Sequence, residues 1–446
     1  MSLGLVLAAW AQPAASAVPS LRAALEVVVP HGFGCARALA LLAVALTTRV
    51  SPLMSSASLL IVADDLTGAA DCAARCRHAG LPTTIVVQAP RLPLPPGALA
   101  FTTDSRHLDP ARAAQRVRTM VGALVGVTNA VWYKKIDSTL RGNLGSELDA
   151  LLDTLGHPYA LVCPAFPAHG RGLLDGRLTG APVQPVHLPT LLAHQSQRAV
   201  AALPLAAVRA GSERLAAHVA DMRAGRTQVL VVDALSEDDL HTIVAAAAQA
   251  LPDALLCGSG GLIGALVASQ ATGEAVCVPQ RPAAGPALVV VGSGSAMAHA
   301  QIAHLRRQGV QTIAVGAETA RQGPGDVLLH LPEPLSPEGR SALEGPAARE
   351  AAARLAEAAL AAIARRRPAV LVLVGGDTAI SVLARLGIQR LTVLRELLPG
   401  MPLTCGVDAA GVSHFVIMKA GSHGDETTLA TLVARARSER ESEVLQ

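Results

Sequence analysis

The sequence predicts an α/β protein made of two α/β domains with mostly parallel sheets. At 446 residues the chain is long enough for two domains. Hydrophobic residues make up 51% of it and aromatic residues 2%, so the core has to be built from Ala, Val and Leu. This balance suits helices packed on a parallel sheet better than a β-sandwich. From Leu59 onward, short apolar runs alternate with Ala-rich segments of helical spacing, which is the pattern of βαβ units.

Residues 1–53 differ from the rest of the chain and are expected to form an extension outside the fold. They contain two apolar runs, and both are too short to span a bilayer. No Lys or Arg precedes the first run, although a secretion signal needs a positive N-terminal region. A translation start placed too far upstream of Met54 is the favoured explanation, and a genuine export signal is the alternative.

The first predicted domain covers residues 54–279. Its strands are expected at Leu59–Ala63, Thr83–Val87, Ala98–Thr102, Ala130–Lys134, Ala160–Cys163, Gln228–Val232 and Ala254–Cys257. Its helices are expected at Gly68–Leu81, Ala111–Leu124, Leu144–Leu155 and Asp238–Ala250.

A Pro-rich stretch, residues 280–286, is typical of a linker and separates off a second domain at residues 287–446. Strands are expected there at Ala287–Val291, Gln311–Val315, Ala369–Val374, Leu391–Val393 and His414–Met418. Helices are expected at Ala296–Gln308, from Ala379 onward, and at Glu426–Arg437.

The end of the first predicted strand is the most informative segment. Five apolar residues run directly into Asp64 and Asp65, and Thr67 follows at the start of a helix-like stretch. The carboxyl edge of a parallel sheet is where α/β proteins bind ligands. Two adjacent carboxylates repel each other and lose solvation at such an edge, so stability does not favour them. A simple helix cap at a strand end is the structural alternative.

Polar side chains also follow three other predicted strands of the first domain. These segments are Thr103–Arg106, Lys134–Asn143 and Cys163–Arg171. Cationic groups and small donors at a strand-to-helix edge can hold a carboxylate or a phosphate. A solvated turn with a salt bridge is the alternative for the second segment. Four polar strand ends together indicate one shared cleft.

The second domain carries glycine-rich turns instead, at Val289–Ser295, Leu371–Thr378 and Lys419–Gly424. Glycine lets backbone N–H groups approach a phosphate, and the start of the following helix adds a partial positive charge. Three such turns, with Ser295, Thr378 and Ser422 as hydroxyl donors, favour a nucleotide. The chain has no G-x-x-x-x-G-K-[ST] segment, and the first turn lacks the third glycine of a dinucleotide-binding motif.

Charge and cysteine usage exclude other classes. The net charge is only +3 and there is no basic run interleaved with aromatic residues, so neither nucleic acid nor a membrane is expected as a partner. Seven scattered cysteines are typical of a reduced, cytoplasmic protein. Cys72 and Cys76 are expected to be core thiols of one helix rather than metal ligands.

Taken together, the motifs resemble the four-carbon acid sugar kinase family, over about residues 57–435 and in the same order. The segments that resemble its N-terminal substrate domain are Ala63–Ala69, Lys134–Asn143, Cys163–Pro167, Gly170–Arg171 and Val232–Leu240. Those that resemble its C-terminal nucleotide-binding domain are Gly292–Ser293, Gly375–Thr378, Pro399–Gly400 and Lys419–Gly421. The resemblance implies phosphorylation of threonate, erythronate or 3-oxo-tetronate to the 4-phosphate in carbohydrate acid catabolism, with ATP and Mg²⁺. It places the nucleotide contacts at Ser293, Ser295, Gly375, Gly376, Asp377, Thr378 and Gly421.

The resemblance and the residue types together suggest roles in phosphoryl transfer without assigning them individually. Asp64, Asp65 or Asp137 accepts the proton of the substrate hydroxyl, and another of these carboxylates holds substrate hydroxyls or a Mg²⁺-bound water. Lys135, Arg141 and Arg171 bind the sugar carboxylate or steady the transferred group. The remaining candidates for the substrate site are Thr67, Asp104, Arg106 and Ser138.

The partners expected are therefore a small sugar acid and ATP, with room for a homo-oligomer, and the linker is expected to act as a hinge for closure. Two departures from the family concern the substrate: the segment Leu178–Leu191 is short and apolar, and His423 replaces an aromatic residue. A nicotinamide-dependent sugar-acid dehydrogenase and a non-catalytic sugar-acid or nucleotide-binding protein remain the alternatives.

Overall fold

The computed structural model describes residues 59–127, 130–180, 186–225, 227–251, 253–269, 282–283, 285–316, 324–332 and 345–437. The predicted extension and residues 280, 281 and 284 of the predicted linker lie outside these ranges, so their assignment stays a prediction. The α/β class is confirmed, because helices alternate with the strands of a large, mostly parallel sheet.

The described residues from 59 to 269, called the first half here, form ten strands. They are β1 (Leu59–Ala63), β2 (Thr83–Val86), β3 (Ala98–Thr102), β4 (Val131–Lys135), β5 (Tyr159–Cys163), β6 (Gly172–Leu174), β7 (Arg177–Thr179), β8 (Val200–Leu203), β9 (Val229–Val232) and β10 (Ala254–Gly258). Its helices are α1 (Leu66–His78), α2 (Pro110–Gly122), α3 (Leu144–Leu155), α4 (Leu188–Gln195), α5 (Leu205–Arg209), α6 (Ser212–Ala224), α7 (Glu237–Ala250) and α8 (Gly260–Ala268).

The second half continues the same alternation. Its strands are β11 (Ala287–Val291), β12 (Gln311–Ala314), β13 (Val327–His330), β14 (Val370–Val374), β15 (Arg390–Leu398), β16 (Met401–Val407) and β17 (Ser413–Lys419). Its helices are α9 (Ala296–Arg307), α10 (Gly345–Arg366), α11 (Gly376–Leu386) and α12 (Thr428–Arg437).

Every strand predicted from the sequence is present, and only β15 extends well beyond its predicted end. The strands that the sequence did not indicate are β6, β7, β8, β13 and β16. Most of these are three or four residues long, and β16 carries Pro402 close to its start. Such strands form because a neighbouring strand supplies the pairing, which a local hydrophobic pattern does not reveal.

A single sheet of fifteen strands runs through both halves, in the order β12-β13-β11-β14-β17-β16-β15-β2-β3-β1-β4-β10-β5-β9-β8. The halves are joined where β15 pairs antiparallel with β2, for instance Leu391 with Ile85. The ladder continues beyond the strands, because the Val87 N–H donates to the Gln389 carbonyl at 3.0 Å. The polypeptide linker is therefore not the sole connection between the halves.

The pairings also set the direction of the strands. Because β15, β16 and β17 pair antiparallel in turn, the parallel strands of the second half run opposite to those of the first half. Neighbouring strands twist by roughly 20–25° per step, so the six steps from β1 to β14 rotate the strand direction by roughly 120–150°. This rotation turns the carboxyl ends of both sets of strands toward the same side, where they face each other.

Helix α1 runs along the boundary between the halves. It packs against β1 and β3 through small side chains such as Ala69 and Ala73, both fully buried. From the same helix, Arg77 Nε donates to the Leu394 carbonyl in β15 at 3.0 Å. Nearer the start of the helix, Asp71 approaches the second half so closely that a Cβ built on Gly400 would lie 2.6 Å from its Oδ1. The helix that begins at the acidic pair is thus fixed to both halves along its length.

A buried chain of hydrogen bonds fixes the carboxyl end of β1. Thr103 Oγ1 donates to the Ala63 carbonyl at 3.0 Å and lies 2.6 Å from Ser105 Oγ. Ser105 donates to Glu147 Oε1 at 2.8 Å, and Lys134 Nζ donates to Glu147 Oε2 at 2.8 Å. Lys134 and Glu147 are each 1% exposed, so this ion pair lies inside the protein.

We predict that Lys134→Met destabilises the fold by about 3–5 kcal/mol, because it leaves the Glu147 carboxylate buried without its counter-ion. The double variant Lys134→Met/Glu147→Leu should recover most of this loss, since it removes both charges. Urea unfolding followed by circular dichroism measures both values. Equal stability of the single and double variants would show that the pair is not coupled.

Candidate functional site

A cleft of ≈ 600 Å³ lies where the strand ends of the two halves face each other. Its walls come from the segments that follow β1 and β3, from Arg141, and from the segments that follow β11, β13, β14 and β17. Most of the site residues predicted from the sequence line it, namely Asp65, Thr67, Asp104, Arg106, Arg141, Ser293, Ser295, Gly375, Gly376, Asp377, Thr378 and Gly421. The predicted residues that do not line it are Asp64, Lys135, Asp137, Ser138 and Arg171.

The two adjacent aspartates have different surroundings. Asp64 is held by Arg106 through two hydrogen bonds, from Nε at 2.7 Å and from Nη2 at 2.9 Å. Asp65 caps α1, accepting from the Gly68 N–H at 2.8 Å and from the Thr67 hydroxyl. Arg106 Nη2 also contacts Asp65 Oδ1 at 2.9 Å, so one guanidinium bridges both carboxylates.

This bridge explains how the protein tolerates two buried carboxylates side by side. Burial alone would raise the pKa of Asp65, but the Arg106 guanidinium, together with the Thr67 hydroxyl and Lys135, outweighs it and holds the pKa below its ordinary value. The neighbouring carboxylates in turn raise the pKa of Arg106 against the opposing effect of its burial. Asp65 is therefore an ionised carboxylate at the edge of the cleft.

Gly68 is required by the close approach of two charged groups. A Cβ at this position would lie 2.7 Å from Asp65 Oδ1 and 3.2 Å from Lys135 Nζ. Lys135 is 4% exposed, and its ammonium lies 3.7 Å from Asp71 Oδ2. The Thr-Gly pair after the aspartates thus leaves space for a lysine beside the acidic cap.

The loop after β4 forms a separate group next to the cleft. Asp137 accepts from Arg141 Nε and from the Thr139 hydroxyl. Burial opposes ionisation of Asp137, but Arg106 and Arg141 hold its pKa well below the ordinary value. Arg171 Nη1 donates to Ser138 Oγ at 2.6 Å, whereas its buried Nε has no partner in the described part of the chain.

The glycine turns of the second half meet the acidic pair directly. Gly375, with φ of 105°, precedes α11, and a Cβ built on Gly376 would lie 3.1 Å from Asp65 Oδ2. The Asp65 carboxylate of the first half therefore lies against the first turn of a helix of the second half. Such a helix start carries unpaired N–H groups and a partial positive charge, which attract anions.

Two other glycines permit close packing between these turns. A Cβ on Gly292 would collide with the Thr378 hydroxyl, and one on Gly421 would collide with Ser293. Ser295 caps α9, because its hydroxyl accepts from the Ala298 N–H at 3.2 Å. The turns after β11, β14 and β17 are consequently one contiguous surface rather than three independent loops.

The structure adds cleft residues that the sequence analysis missed. They are His107, His299, Ile302, His330, Leu331, Pro332, Ala351, Ala352 and Ile380. The group at 330–332 was missed because β13, which precedes it, was not predicted. Ala351 and Ala352 belong to the long helix α10, whose uniform Ala-rich sequence gives no sign of a binding face.

A row of rings connects the halves on the other side of Asp65. The ring centroids of Phe166 and His169 are 4.1 Å apart, and His169 lies 4.7 Å from His423 of the second half. Burial, and then Arg171, lower the pKa of His169 to about 4. Burial and His169 likewise hold the pKa of His423 well below its ordinary value. Both imidazoles are therefore neutral at pH 7, and the His423 ring packs against His169 at an interplanar angle of 45°.

The part of the chain that the structure describes contains no group of three or more His, Cys, Asp or Glu side chains arranged to hold a metal ion. Magnesium bound to a nucleotide needs fewer protein ligands, because phosphates and water supply most of them. Burial, followed by the neighbouring Asp377 carboxylate, raises the pKa of Asp104, and both residues line the cleft. The two negative charges repel each other, so a cation near them would be favoured.

Two family models match this chain, one after the other. The family model of a sugar-binding N-terminal domain matches residues 59–266, and that of a nucleotide-binding C-terminal domain matches residues 313–429. A Salmonella typhimurium LT2 crystal structure shares the fold, with a TM-score of 0.65 and 24% identity over 86% of this chain and 99% of that one. None of the helices in the described ranges is long and apolar enough to cross a membrane.

Two curated relatives match this chain over nearly their whole lengths. A D-threonate kinase of Cupriavidus necator is 35% identical over 412 residues, covering 83% of this chain and 96% of the relative. A 3-oxo-tetronate kinase of Burkholderia multivorans is 29% identical over 407 residues, covering 81% and 94%. With both domain models matched in order and these relatives matched end to end, the chain belongs to the four-carbon acid sugar kinase family.

Proposed function

We propose that the protein transfers the terminal phosphoryl group of ATP to the 4-hydroxyl of a four-carbon sugar acid, namely threonate, erythronate or 3-oxo-tetronate. The observation that carries this proposal is the close approach of the Asp65 carboxylate to Gly376 at the start of α11, where a Cβ would lie 3.1 Å from Oδ2. A carboxylate of the sugar side and a phosphate-binding helix start of the nucleotide side thereby face each other in one cleft. The names of the relatives supply the substrate class.

Asp65 is the carboxylate best placed to accept the proton of the attacking hydroxyl. It lines the cleft, whereas Asp64 has both oxygens bound by Arg106 and Asp137 is occupied by Arg141 and Thr139. Its lowered pKa keeps it ionised and able to orient a hydroxyl. Phosphoryl transfer depends mainly on positioning and charge neutralisation, so a weakly basic carboxylate suffices.

The glycine turns are proposed to hold the phosphates of the nucleotide. Gly375, Gly376 and Gly421 bring backbone close to the cleft, and α11 directs its first N–H groups there. Magnesium would neutralise phosphate charge when bound, with Asp104 and Asp377 as its protein ligands. Asp377 is the next residue in the sequence after Gly376 of the turn proposed to hold the phosphates.

Lys135, Arg141 and Arg171 are proposed to hold the carboxylate of the sugar acid. Arg171 has a buried Nε without a partner among the described residues, and Arg141 lines the cleft. Arg106 differs from these three cations, because its Nε and Nη2 already donate to Asp64 and Asp65. Arg106 would thus act on the substrate mainly by fixing Asp65.

Closure of the cleft is proposed to involve the sheet as well as the linker. Because β2 and β15 are hydrogen-bonded, the halves approach each other by changing the twist around this ladder. Rotation about residues 280–286 alone would break these bonds. We also propose a cytoplasmic location, consistent with five buried free thiols among the described residues, and self-association into a homo-oligomer remains a prediction.

The proposed activity predicts ADP release when the protein is mixed with Mg²⁺, ATP and one of the four-carbon acids. Stereoisomers of threonate, erythronate and 3-oxo-tetronate are compared in a coupled assay, and ³¹P NMR locates the new phosphate at C4. Binding of an acid without ADP release would instead favour the non-catalytic protein. Reduction of a nicotinamide cofactor would favour the dehydrogenase.

We predict that Asp65→Asn lowers kcat on the order of 10²–10⁴-fold, because it removes the base while keeping the size of the side chain. Its melting temperature should change little, since Asn is as good a helix cap as Asp. Asp64→Asn is the matched comparison and should cost more stability, because it removes a charge from the Arg106 bridge. Turnover close to the parent value in Asp65→Asn would move the catalytic role to Asp137.

We predict that Gly376→Val weakens ATP binding, because a branched side chain would occupy the position that a phosphate has to approach. Titration calorimetry with ATP should show the loss, and titration with the sugar acid should show binding retained. Gly122→Val at the end of α2 is the control, since a Cβ there has nothing within 4 Å. Unimpaired ATP affinity in a folded Gly376→Val protein would place the phosphates elsewhere.

A further inference from the structure

Lysine is very rare in this chain. Of its 37 Lys and Arg residues only three are lysines, Lys134, Lys135 and Lys419, and arginine serves at every other basic position. All three lysines lie at the carboxyl ends of strands and are at most 4% exposed. Arginine has thus replaced lysine at the surface but not at these sites. A compact ammonium that can lose its proton differs from a guanidinium in both size and acidity.

Two of the lysines have a carboxylate partner. Lys134 donates to Glu147 at 2.8 Å, and Lys135 lies 3.7 Å from Asp71. These pairs compensate part of the cost of burying each charge. Both lysines belong to the sugar side of the protein.

Lys419 is buried without such a partner. No carboxylate lies within ion-pair distance of it among the residues that the structure describes, and its Nζ donates to the carbonyls of Ala420 at 2.8 Å and Gly421 at 3.3 Å. Burial accordingly lowers the pKa of Lys419 to about 7. His423 of the same loop interacts electrostatically with Lys419, and His169, Arg171 and Lys135 act on that histidine from the sugar side. A buried ammonium with surrounding groups that are neutral or cationic lacks an anion.

The position of Lys419 indicates which anion is missing. Its Cα pairs with that of Val374 at the end of β14, and its carbonyl accepts from the Gly375 N–H at 2.9 Å. The two residues whose carbonyls hold its ammonium, Ala420 and Gly421, line the cleft. Lys419 therefore lies at the base of the two glycine turns that are proposed to hold the phosphates.

We infer that Lys419 is a further catalytic residue, whose ammonium contacts the terminal phosphates of the nucleotide and the phosphoryl group in transfer. This inference rests on the proposed function and adds to it a cation from the nucleotide side. The carbonyls of Ala420 and Gly421 hold the amine in place, and the phosphate supplies the counter-ion that the protein omits. Phosphate binding then favours the charged amine, so the protein takes up a proton as the nucleotide binds.

Lysine-specific labelling tests this inference directly, because the chain offers only three lysines. An acyl phosphate of ATP carries a reactive carbonyl at the end of its phosphate chain. An adjacent amine attacks this carbonyl, an amide forms, ATP leaves, and the proton passes to solvent. We expect peptide mapping to find the acyl group on Lys419, with excess ATP preventing the reaction. The label should persist on Lys419 in the Lys135→Met variant. Labelling at Lys135 or at no lysine, in a protein that binds ATP, would contradict the inference.

Lys419→Met provides the second test. We expect kcat to fall on the order of 10²–10³-fold, as for loss of one group that stabilises transition-state charge, with the KM for the sugar acid unchanged. The melting temperature should stay the same or rise, because the change removes an unpaired buried charge. A merely structural lysine would show the opposite pattern, a lower melting temperature with kcat retained.

Calorimetry separates failure of this inference from failure of the proposed function. Titration with Mg²⁺-ATP and with Mg²⁺-tripolyphosphate at pH 7.5, near the pKa of about 7, is repeated in buffers of different ionisation enthalpy. The parent protein should take up a proton that Lys419→Met does not. Equal proton uptake in both proteins overturns the role of Lys419 while ATP-dependent turnover stands. Absence of any binding or turnover overturns the proposed function and this inference together.

Discussion

The antiparallel pairing of β2 with β15 is the constraint on which the rest of the structure depends. It makes one sheet of two α/β halves and reverses the direction of the parallel strands between them. The sheet twists at each of the six pairings between β1 and β14. This twist brings the carboxyl ends of the parallel strands of both halves to the same side. The cleft exists because this rotation nearly offsets the reversal. A flat sheet with the same pairings would place the aspartates and the glycine turns at opposite edges.

Buried charge is the second organising feature, and the two halves treat it differently. On the sugar side several buried charges have an opposite partner: Arg106 bridges Asp64 and Asp65, Lys134 pairs with Glu147, and Arg141 pairs with Asp137. These pairs fix the geometry of the acidic strand end at the cost of desolvation. On the nucleotide side the cleft is lined mainly by glycine backbone and hydroxyls, and the buried Lys419 lies behind the turn that holds Ala420 and Gly421.

The two sides of the cleft are therefore held together in different ways. The sugar side is rigid, because hydrogen bonds link Ala63, Thr103, Ser105 and Glu147 into one buried chain. The nucleotide side depends on close contact between backbone turns, since Gly292 and Gly421 leave no space for a side chain. Rings from both sides, His169 and His423, meet where the two surfaces join. His423 thus lies where the two sides meet and is not among the residues that line the cleft.

The sequence by itself determined the elements and the chemical character of each strand end. The hydrophobic runs before Asp64 and before Gly375 each predicted a strand, a turn and a helix correctly. A parallel strand is buried on both faces, so its sequence is hydrophobic throughout and easy to recognise. Only the tertiary structure decided how these ends meet. Contacts between distant segments make Arg106 bridge the acidic pair and bring Asp65 to Gly376. They also leave Lys419 with no carboxylate within ion-pair distance among the described residues. Such contacts follow from strand order and twist, which no local pattern records. The short strands β13 and β16 were missed for the same reason, since their pairing partners, and not their own residues, make them strands.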